Sequence, residues 1–232
     1  MAVTIRLDPI GPKIAEGRDS EIFEHGDGKV LRRAFVSRSL VGEADLMTYV
    51  RGHGYPVPEV FDAGEGWLVM ERIDGRDLLD TIKKSPAGLR DAARVLAELH
   101  TRLGALPAPD WLVEAPGPAG DRLVHLDLHP MNVMVTADGP IVIDWSNAKR
   151  GVPEMDVANT WALLKCGELP MRGVEKWISQ LGRGLLLKDF LSFLDQPAAA
   201  RVMPELVEWR SGDRHHSEKE IAKMRKLAAK VS

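Results

Sequence analysis

The feature that most constrains this chain is the stretch HLDLHPMNVM at 125–134, which is followed by the apolar run and acid IVIDW at 141–145. Asp127 stands five residues before Asn132, and Asp144 ends a run that predicts a buried strand. A carboxylate beside an incoming hydroxyl, with an Asn and an Asp to hold magnesium, suits phosphoryl transfer. Catalysis of that reaction is mostly positioning and charge neutralisation. The stretch therefore indicates a phosphoryl-transfer site.

Most segments in the first seventy residues have patterns typical of strands, and most segments in the rest have patterns typical of helices. The strand segments are IRL, KIAEG, SEIFEHG, KVLRRAF, PVPEVFDAG and GWLVMERI, with a hairpin turn at GDG, 26–28, and one helix from about Val41 to Arg51. Two more short strands, NVMVT and PIVIDW, flank the polar motif. Predicted helices in the second part are Ala87–Leu103, Met155–Leu164, Met171–Leu181, Lys188–Leu194 and Ser217–Val231. This order predicts an α+β fold with a small β-rich lobe before a helical one.

Composition excludes several classes of protein. A net charge of -3 lacks the basic excess of a nucleic-acid binder, so no nucleic-acid partner is expected. Cys166 is the only cysteine, which rules out an internal disulfide and favours a reducing compartment. The N-terminal residues have no apolar core of signal-peptide length, and no segment is apolar over a membrane-spanning length. We therefore expect a cytoplasmic protein without a membrane partner, either a monomer or a homodimer.

Five motifs in order resemble those of the aminoglycoside phosphotransferase/choline kinase family, a branch of the protein-kinase-like fold. HLDLHPMNV resembles the family's H-x-D-x-H-x-x-N catalytic loop, and IDW its magnesium-binding Asp motif. The others are VPEMDVANTW, PVPEV after a Glu-bearing helix, and LVMERIDG at the lobe junction. The resemblance spans about Ile14 to Leu164. It implies a bilobal fold, with a nucleotide-binding lobe at 1–73 (a small antiparallel sheet and one helix) and a mainly helical catalytic and acceptor-binding lobe at 74–232.

The resemblance also assigns roles around the catalytic loop. Asp127 matches the base that orients the acceptor and takes its proton. Asn132 and Asp144 match the ligands of Mg²⁺, a hard cation that takes one or two protein oxygens together with phosphate and water. His125 and His129 are expected to brace the loop rather than to transfer protons. Asp156 resembles the buried acid that ties the loop to the following helix.

On the nucleotide side the resemblance places a phosphate-covering hairpin at 16–23, where Gly17 and Ser20 are candidate phosphate contacts. By strand alternation, Val30 would pack on the base and Arg32 would reach the phosphates, with Glu43 as the partner of Arg32. An arginine therefore stands where the wider fold usually has a lysine. Its guanidinium is a planar, permanently charged fork rather than a point charge.

The connector between the lobes resembles the segment whose backbone binds the purine edge. Its candidate residues are Met70, Glu71 and Ile73. The resemblance implies ATP or GTP as the co-substrate, and the motifs do not distinguish between the two nucleotides.

Spacing and charge bear on the acceptor. Only eleven residues separate Asp144 from Asp156, too few for the activation segment that binds a peptide in protein kinases, so a small-molecule hydroxyl is favoured. The segment 151–232 carries thirteen Lys and Arg against eleven Asp and Glu, a net charge of +2, which does not favour a polycationic aminoglycoside. A sugar, amino alcohol or nucleoside stays open. Two alternatives also remain: a nucleotide-binding pseudokinase or sensor module, suggested by Arg32, and a compact protein kinase.

Overall fold

The computed structural model of this 232-residue chain describes residues 10–17, 19–84, 88–168, 173–213 and 216–231. The predicted strand IRL lies outside the described residues, as do the predicted helix starts at Ala87 and Met171. The chain divides into two compact units, one formed by Met1–Gly75 with Thr136–Trp145 and the other by Arg76–Val135 with Ser146–Ser232.

The first unit is built on a five-stranded antiparallel sheet in the order β1-β2-β3-β5-β4. Its elements are β1 (Lys13–Glu16), β2 (Ser20–Glu24), β3 (Lys29–Ala34), α1 (Val41–Gly52), β4 (Val60–Gly64), β5 (Trp67–Glu71) and the later strand β9 (Gly139–Val142). Gly26, Asp27 and Gly28 all adopt positive φ between β2 and β3. The predicted GDG hairpin is thereby confirmed, because a tight turn needs residues that tolerate this conformation.

The core of the first unit forms between the sheet and α1. Leu68 in β5 lies opposite Arg32, the residue that bonds Glu43 of α1, and is fully buried, while α1 buries Met47 and Val50 on its inner face. The residues around 141–145 join this core. Val142 donates its N–H to the carbonyl of Pro56, and the ring of Trp145 meets Tyr55 edge-on at 5.7 Å.

The second unit is mainly helical, with two small antiparallel strand pairs. Its elements are β6 (Arg76–Asp77), α2 (Leu78–Lys84), α3 (Leu89–Gly104), β7 (Arg122–Val124), a 3₁₀ helix (Pro130–Asn132), β8 (Val133–Thr136), β10 (Lys149–Gly151), α4 (Pro153–Cys166), α5 (Gly173–Ser192), α6 (Gln196–Arg201), α7 (Met203–Ser211) and α8 (Glu218–Val231). β6 pairs with β8, and β7 pairs with β10. The α+β fold class predicted from the sequence is confirmed.

Helix α4 is the central element of the second unit. It begins with Pro153 at its first turn, a position where the missing N–H costs nothing. Every residue from Met155 to Ala162 is buried, so the helix is enclosed on all sides. Three of the enclosed side chains are polar, and a buried polar side chain must find hydrogen-bond partners. These three side chains bond the backbone of residues 125–128.

The helical region differs from the sequence prediction in two ways. The predicted helices Met171–Leu181 and Lys188–Leu194 are parts of one helix, α5, because the intervening Gly182 and Gly184 do not break it. Burial of Leu186, Leu187, Phe190 and Leu191 offsets the cost of two helical glycines, about 1 kcal/mol each. The short helices α2, α6 and α7 were not predicted. Among the helices described, none is both long and apolar enough to cross a membrane.

Candidate active site

The loop that carries Asp127 begins with a strained residue. Leu126 has φ 57°, in the left-handed region that a leucine rarely adopts and that costs about 1–3 kcal/mol. Asp156 on α4 accepts the N–H of His125 at 2.7 Å and the N–H of Leu126 at 2.5 Å. This buried carboxylate therefore holds the turn that precedes Asp127.

Two further polar side chains on the same face of α4 bind the loop. Asn159 donates its amide to the Leu126 carbonyl at 2.9 Å, and Thr160 donates its hydroxyl to the Leu128 carbonyl at 2.6 Å. Asp156, Asn159 and Thr160 are spaced i, i+3 and i+4, so they project from one side of the helix. Asp156 was predicted for this role. The other two were missed, although buried polar residues at this spacing in the apolar run VANTWALL could have indicated them.

Asp127 is positioned by its own loop. Asn132 donates its amide N–H groups to the Asp127 backbone carbonyl at 2.9 Å and to carboxylate Oδ2 at 3.2 Å. His129 Nε2 lies 3.7 Å from the other oxygen, Oδ1. The carboxylate stays partly open, with 23% of the side chain exposed. Asp127, His129 and Asn132 are thus brought together within the second unit.

The two histidines differ in their surroundings. His129 precedes the 3₁₀ helix and accepts the N–H of Met131 on Nδ1 at 3.2 Å, while its carbonyl accepts the N–H of Asn132 at 2.8 Å. With Nδ1 an acceptor, the neutral ring carries its proton on Nε2, the nitrogen nearest to Asp127. His125 is fully buried and is linked to Asp156 through its backbone.

One residue near Asp127 was not found by sequence reasoning. Arg210 on α7 is only 4% exposed, and its Nη2 lies 3.8 Å from Asp127 Oδ1. It also donates to the Leu126 carbonyl at 2.6 Å and to Asn159 Oδ1 at 2.9 Å. No local motif marks it, because it lies 84 residues from Leu126 along the chain on a helix that was not predicted.

A second group of site residues lies in the first unit. Arg32 in β3 donates to Glu43 in α1 at 2.5 Å, and its Nη1 lies 4.0 Å from Asp144 Oδ1. Arg32 and Glu43 are buried, whereas the side chain of Asp144 is 49% exposed. Burial acts to lower the pKa of Arg32, but the charge and hydrogen bond of Glu43, with the charge of Asp144, outweigh it and raise that pKa. Arg32, Glu43 and Asp144 are thus brought together.

The same sheet face carries the proposed base-packing residues. Val30 lies directly opposite Met70 in the β3–β5 ladder, and Arg32 lies opposite Leu68, so these side chains share one face. Glu71 donates its N–H to the Glu59 carbonyl, so this N–H already has an acceptor inside the first unit.

Gly17 and Ile73, two residues expected to contact the nucleotide, differ in whether their backbone already forms hydrogen bonds. Gly17 donates its N–H to the Ser20 carbonyl at 2.8 Å, so this donor closes the hairpin rather than facing a phosphate. Within the described part of the chain, the backbone of Ile73 makes no hydrogen bond.

The chemistry of the donor sets suits magnesium. Asn132 uses its amide nitrogen on Asp127, which leaves its oxygen as the atom that could ligate a cation, and Asp144 offers a half-exposed carboxylate. No group of three or more His, Cys, Asp or Glu side chains that could hold a metal occurs among the described residues. Mg²⁺ does not need such a cage, because it usually takes one or two protein oxygens together with phosphate and water.

Burial shifts two titratable groups behind the loop. Burial raises the pKa of Asp156 to about 7, against the opposing effect of the two backbone N–H groups and Arg210. Burial lowers the pKa of His100 on α3 to about 4. His100 Nδ1 bonds the Leu96 carbonyl at 2.8 Å and Nε2 lies 3.0 Å from the Thr160 hydroxyl. His100 is therefore a packing residue that supports the loop through Thr160.

Comparison with known proteins identifies a family and a fold for the chain. The sequence profile of the Phosphotransferase enzyme family matches residues 11–119 and 112–195. A probable serine/threonine-protein kinase BUD32 homolog of Archaeoglobus fulgidus is 29% identical over 120 residues, 52% of this chain. The chain spans about half the length of that curated relative, since the match covers 51% of it.

Solved structures share the fold at low identity. The enzyme of the gentamicin–APH(2")-IIa complex has a TM-score of 0.60 at 15% identity, covering 97% of this chain and 92% of that one. A choline/ethanolamine kinase family protein from Mesorhizobium loti has a TM-score of 0.59 at 15% identity, covering 95% and 88%. Amicoumacin kinase hAmiN, in complex with AMP-PNP, Ca²⁺ and Ami, has a TM-score of 0.56 at 15% identity, covering 95% and 87%.

The matched profile covers residues 11–195, most of the chain, and the solved structures share its fold over nearly the whole length. The chain therefore belongs to the phosphotransferase enzyme family and has a protein-kinase-like fold.

Proposed function

We propose that this protein transfers the γ-phosphate of ATP or GTP, with Mg²⁺, to a hydroxyl group of a small molecule. The proposal rests on the hydrogen bonds that Asn132 donates to Asp127. The amide of Asn132 bonds both the backbone carbonyl and one carboxylate oxygen of Asp127. This orients the carboxylate, and the side chain of Asp127 stays 23% exposed. A general base needs this combination of fixed orientation and access.

In the proposed reaction, the acceptor hydroxyl donates its proton to Asp127 as its oxygen forms a bond to the γ-phosphorus. The bond from the γ-phosphorus to the bridging oxygen breaks, and the nucleoside diphosphate leaves with that electron pair. Asn132 and Asp144 are the proposed ligands of Mg²⁺, which when bound would neutralise charge on the phosphate oxygens. Asp156, Asn159 and Thr160 hold the loop and touch no reacting atom.

The first unit is proposed to bind the nucleotide. Val30 and Met70 present adjacent apolar side chains on which a base could stack, and the unbonded backbone of Ile73 is suited to its purine edge. Arg32 would contact phosphate while Glu43 neutralises and orients its guanidinium. Ser20 and the 16–23 hairpin are proposed to lie over the phosphates through groups other than the Gly17 N–H.

The small-molecule acceptor is supported by the short spacing of eleven residues between Asp144 and Asp156. The likeness to a probable serine/threonine-protein kinase over half the chain favours a second candidate, a protein hydroxyl. The two candidates differ in the product. A small-molecule kinase labels a metabolite, whereas a protein kinase labels a polypeptide or itself.

A phosphorylation screen tests the proposal. Purified protein would be incubated with radiolabelled MgATP or MgGTP, a library of sugars, amino alcohols and nucleosides, and separately a cell extract freed of small molecules. We expect label on one class of small molecule, and its loss in Asp127→Ala. Label on protein alone would favour the second candidate. Nucleotide binding with no transfer to small molecules or to proteins would indicate the pseudokinase. Unchanged transfer by Asp127→Ala would contradict the role of Asp127 as the base.

A further inference from the structure

Arg210 lies behind the catalytic loop and has no counterpart among the motifs that identify the family. It is on α7, in the C-terminal part of the second unit, and is almost fully buried. A buried guanidinium is costly unless its charge and its N–H groups are satisfied. The position of those partners indicates what the residue does.

The three nitrogens of Arg210 each have an acceptor. Nε donates to Asn159 Oδ1 at 2.9 Å, Nη1 to Asp213 Oδ2 at 3.0 Å, and Nη2 to the Leu126 carbonyl at 2.6 Å. Because the guanidinium is planar and its donors have fixed directions, three bonds determine its orientation. A lysine ammonium in this place could supply the charge but not the three directed bonds.

The bond to Leu126 joins the strained residue directly before Asp127. The N–H of Leu126 is held by Asp156, and its carbonyl is shared by Asn159 and Arg210. Two of these holders are on α4, whereas the third comes from α7. The peptide that leads into Asp127 is thus fixed from two separate helices, and the Nη2 that binds it is also 3.8 Å from the Asp127 carboxylate.

We propose that Arg210 is a positioning residue for phosphoryl transfer, which holds the Leu126–Asp127 peptide in its left-handed conformation and so sets the place of the Asp127 carboxylate. The residue acts through Asp127 and touches neither nucleotide nor acceptor. The inference rests on the proposed function for its catalytic part, whereas its structural part can be measured without any turnover.

Arg183 is a matched control in the same unit. Its guanidinium is partly buried and donates to the carbonyls of Gly167 and Leu163, both at 2.8 Å, at the C-terminal end of α4. It therefore binds backbone carbonyls as Arg210 does, but at the opposite end of the helix from Asp156. Arg183→Gln removes a comparable set of bonds without touching the catalytic loop.

The first measurement is amide hydrogen exchange across residues 122–134, compared with exchange in α3. For Arg210→Gln we expect exchange at the Leu126 amide to be roughly tenfold faster or more, with exchange in α3 unchanged. The variant lacks the hydrogen bonds of Arg210, so the free energy needed to open the loop is smaller. Arg183→Gln should leave the loop unchanged. Unchanged exchange at Leu126 would overturn the inference. So would an equal increase in α3, since that would indicate only a loss of general stability.

The second measurement is steady-state turnover of MgATP with water as the acceptor. We expect Arg210→Gln to lower kcat by roughly a hundredfold with little change in KM for MgATP, because misplacing a catalytic group affects the reaction more than binding. Arg210→Lys should recover part of this loss, and Arg183→Gln should match the wild type. Faster loop exchange with unchanged kcat would overturn the catalytic part. A wild type that does not hydrolyse MgATP would count neither for nor against transfer to a small-molecule hydroxyl, and exchange at Leu126 would then decide the inference.

Discussion

The guanidinium of Arg32 and the carboxylate of Glu43 lie 2.5 Å apart, nitrogen to oxygen, with side chains only 9% and 8% exposed. β3 contributes one and α1 the other, so this ion pair joins the helix of the first unit to the centre of its sheet. Two charges are stable in such a place only when each neutralises the other. The pair therefore links the stability of the unit to the position of the proposed phosphate contact.

Breaking this pair should destabilise the protein strongly. We expect Glu43→Gln to lower the free energy of unfolding by about 3–5 kcal/mol, because it leaves the Arg32 charge buried without its principal partner. Urea denaturation followed by circular dichroism would measure the change. The control is Glu16→Gln, since Glu16 pairs with Lys13 on the open surface of the same unit and should leave the midpoint unaltered. Equal effects of the two substitutions would contradict the burial of the Arg32–Glu43 pair.

Asp156→Asn should lower the stability of the fold and loosen the loop that carries Asp127. An amide has one oxygen in place of two, so either the N–H of His125 or that of Leu126 loses its acceptor and faces an NH₂ group. The expected cost is about 2 kcal/mol, measured by chemical denaturation. Asp91→Asn makes the same change on the exposed surface of α3, where it should have little effect. An Asp156→Asn protein as stable as the Asp91→Asn protein would argue against the two hydrogen bonds.

His100 should make stability depend on pH. Burial lowers its pKa to about 4, so the folded protein keeps the ring neutral at pH values where the unfolded chain protonates it. Its contribution is full above the unfolded pKa near 6.5 and is lost as pH falls towards 4. The difference in unfolding free energy between wild type and His100→Gln should therefore shrink by about 3 kcal/mol from pH 6.5 to 4. A difference that stays constant over this range would show that His100 titrates normally.

Metal removal should abolish phosphoryl transfer. We expect a chelator such as EDTA to stop turnover and added Mg²⁺ to restore it. Asn132→Ala should raise the Mg²⁺ concentration for half-maximal rate by roughly tenfold or more, because it removes a proposed ligand. Asn132→Asp keeps an oxygen at that position and should keep the metal dependence, while losing the amide hydrogen bonds to Asp127. A half-maximal Mg²⁺ concentration that is the same in all three proteins would exclude Asn132 as a ligand.

Prediction of the fold succeeded where local patterns are strong. Alternating apolar residues and the GDG turn predicted β2, β3 and their hairpin, and the apolar spacing on α3 predicted that helix. It failed where packing overrides local preference. Gly182 and Gly184 suggested a break in α5, but the buried residues that follow them keep the helix continuous.

The sequence by itself determined which polar residues to examine, since Asp127, Asn132 and Asp144 lie in short motifs that resemble those of the family. It also indicated Asp156 and the pairing of Arg32 with Glu43. Only the tertiary structure decided which other residues hold the loop in place. Asn159, Thr160 and Arg210 reach backbone carbonyls of Leu126 and Leu128. Every residue has a backbone carbonyl, so the sequence does not indicate which carbonyl accepts a hydrogen bond. Only the packing of α4 and α7 against the loop selects these contacts.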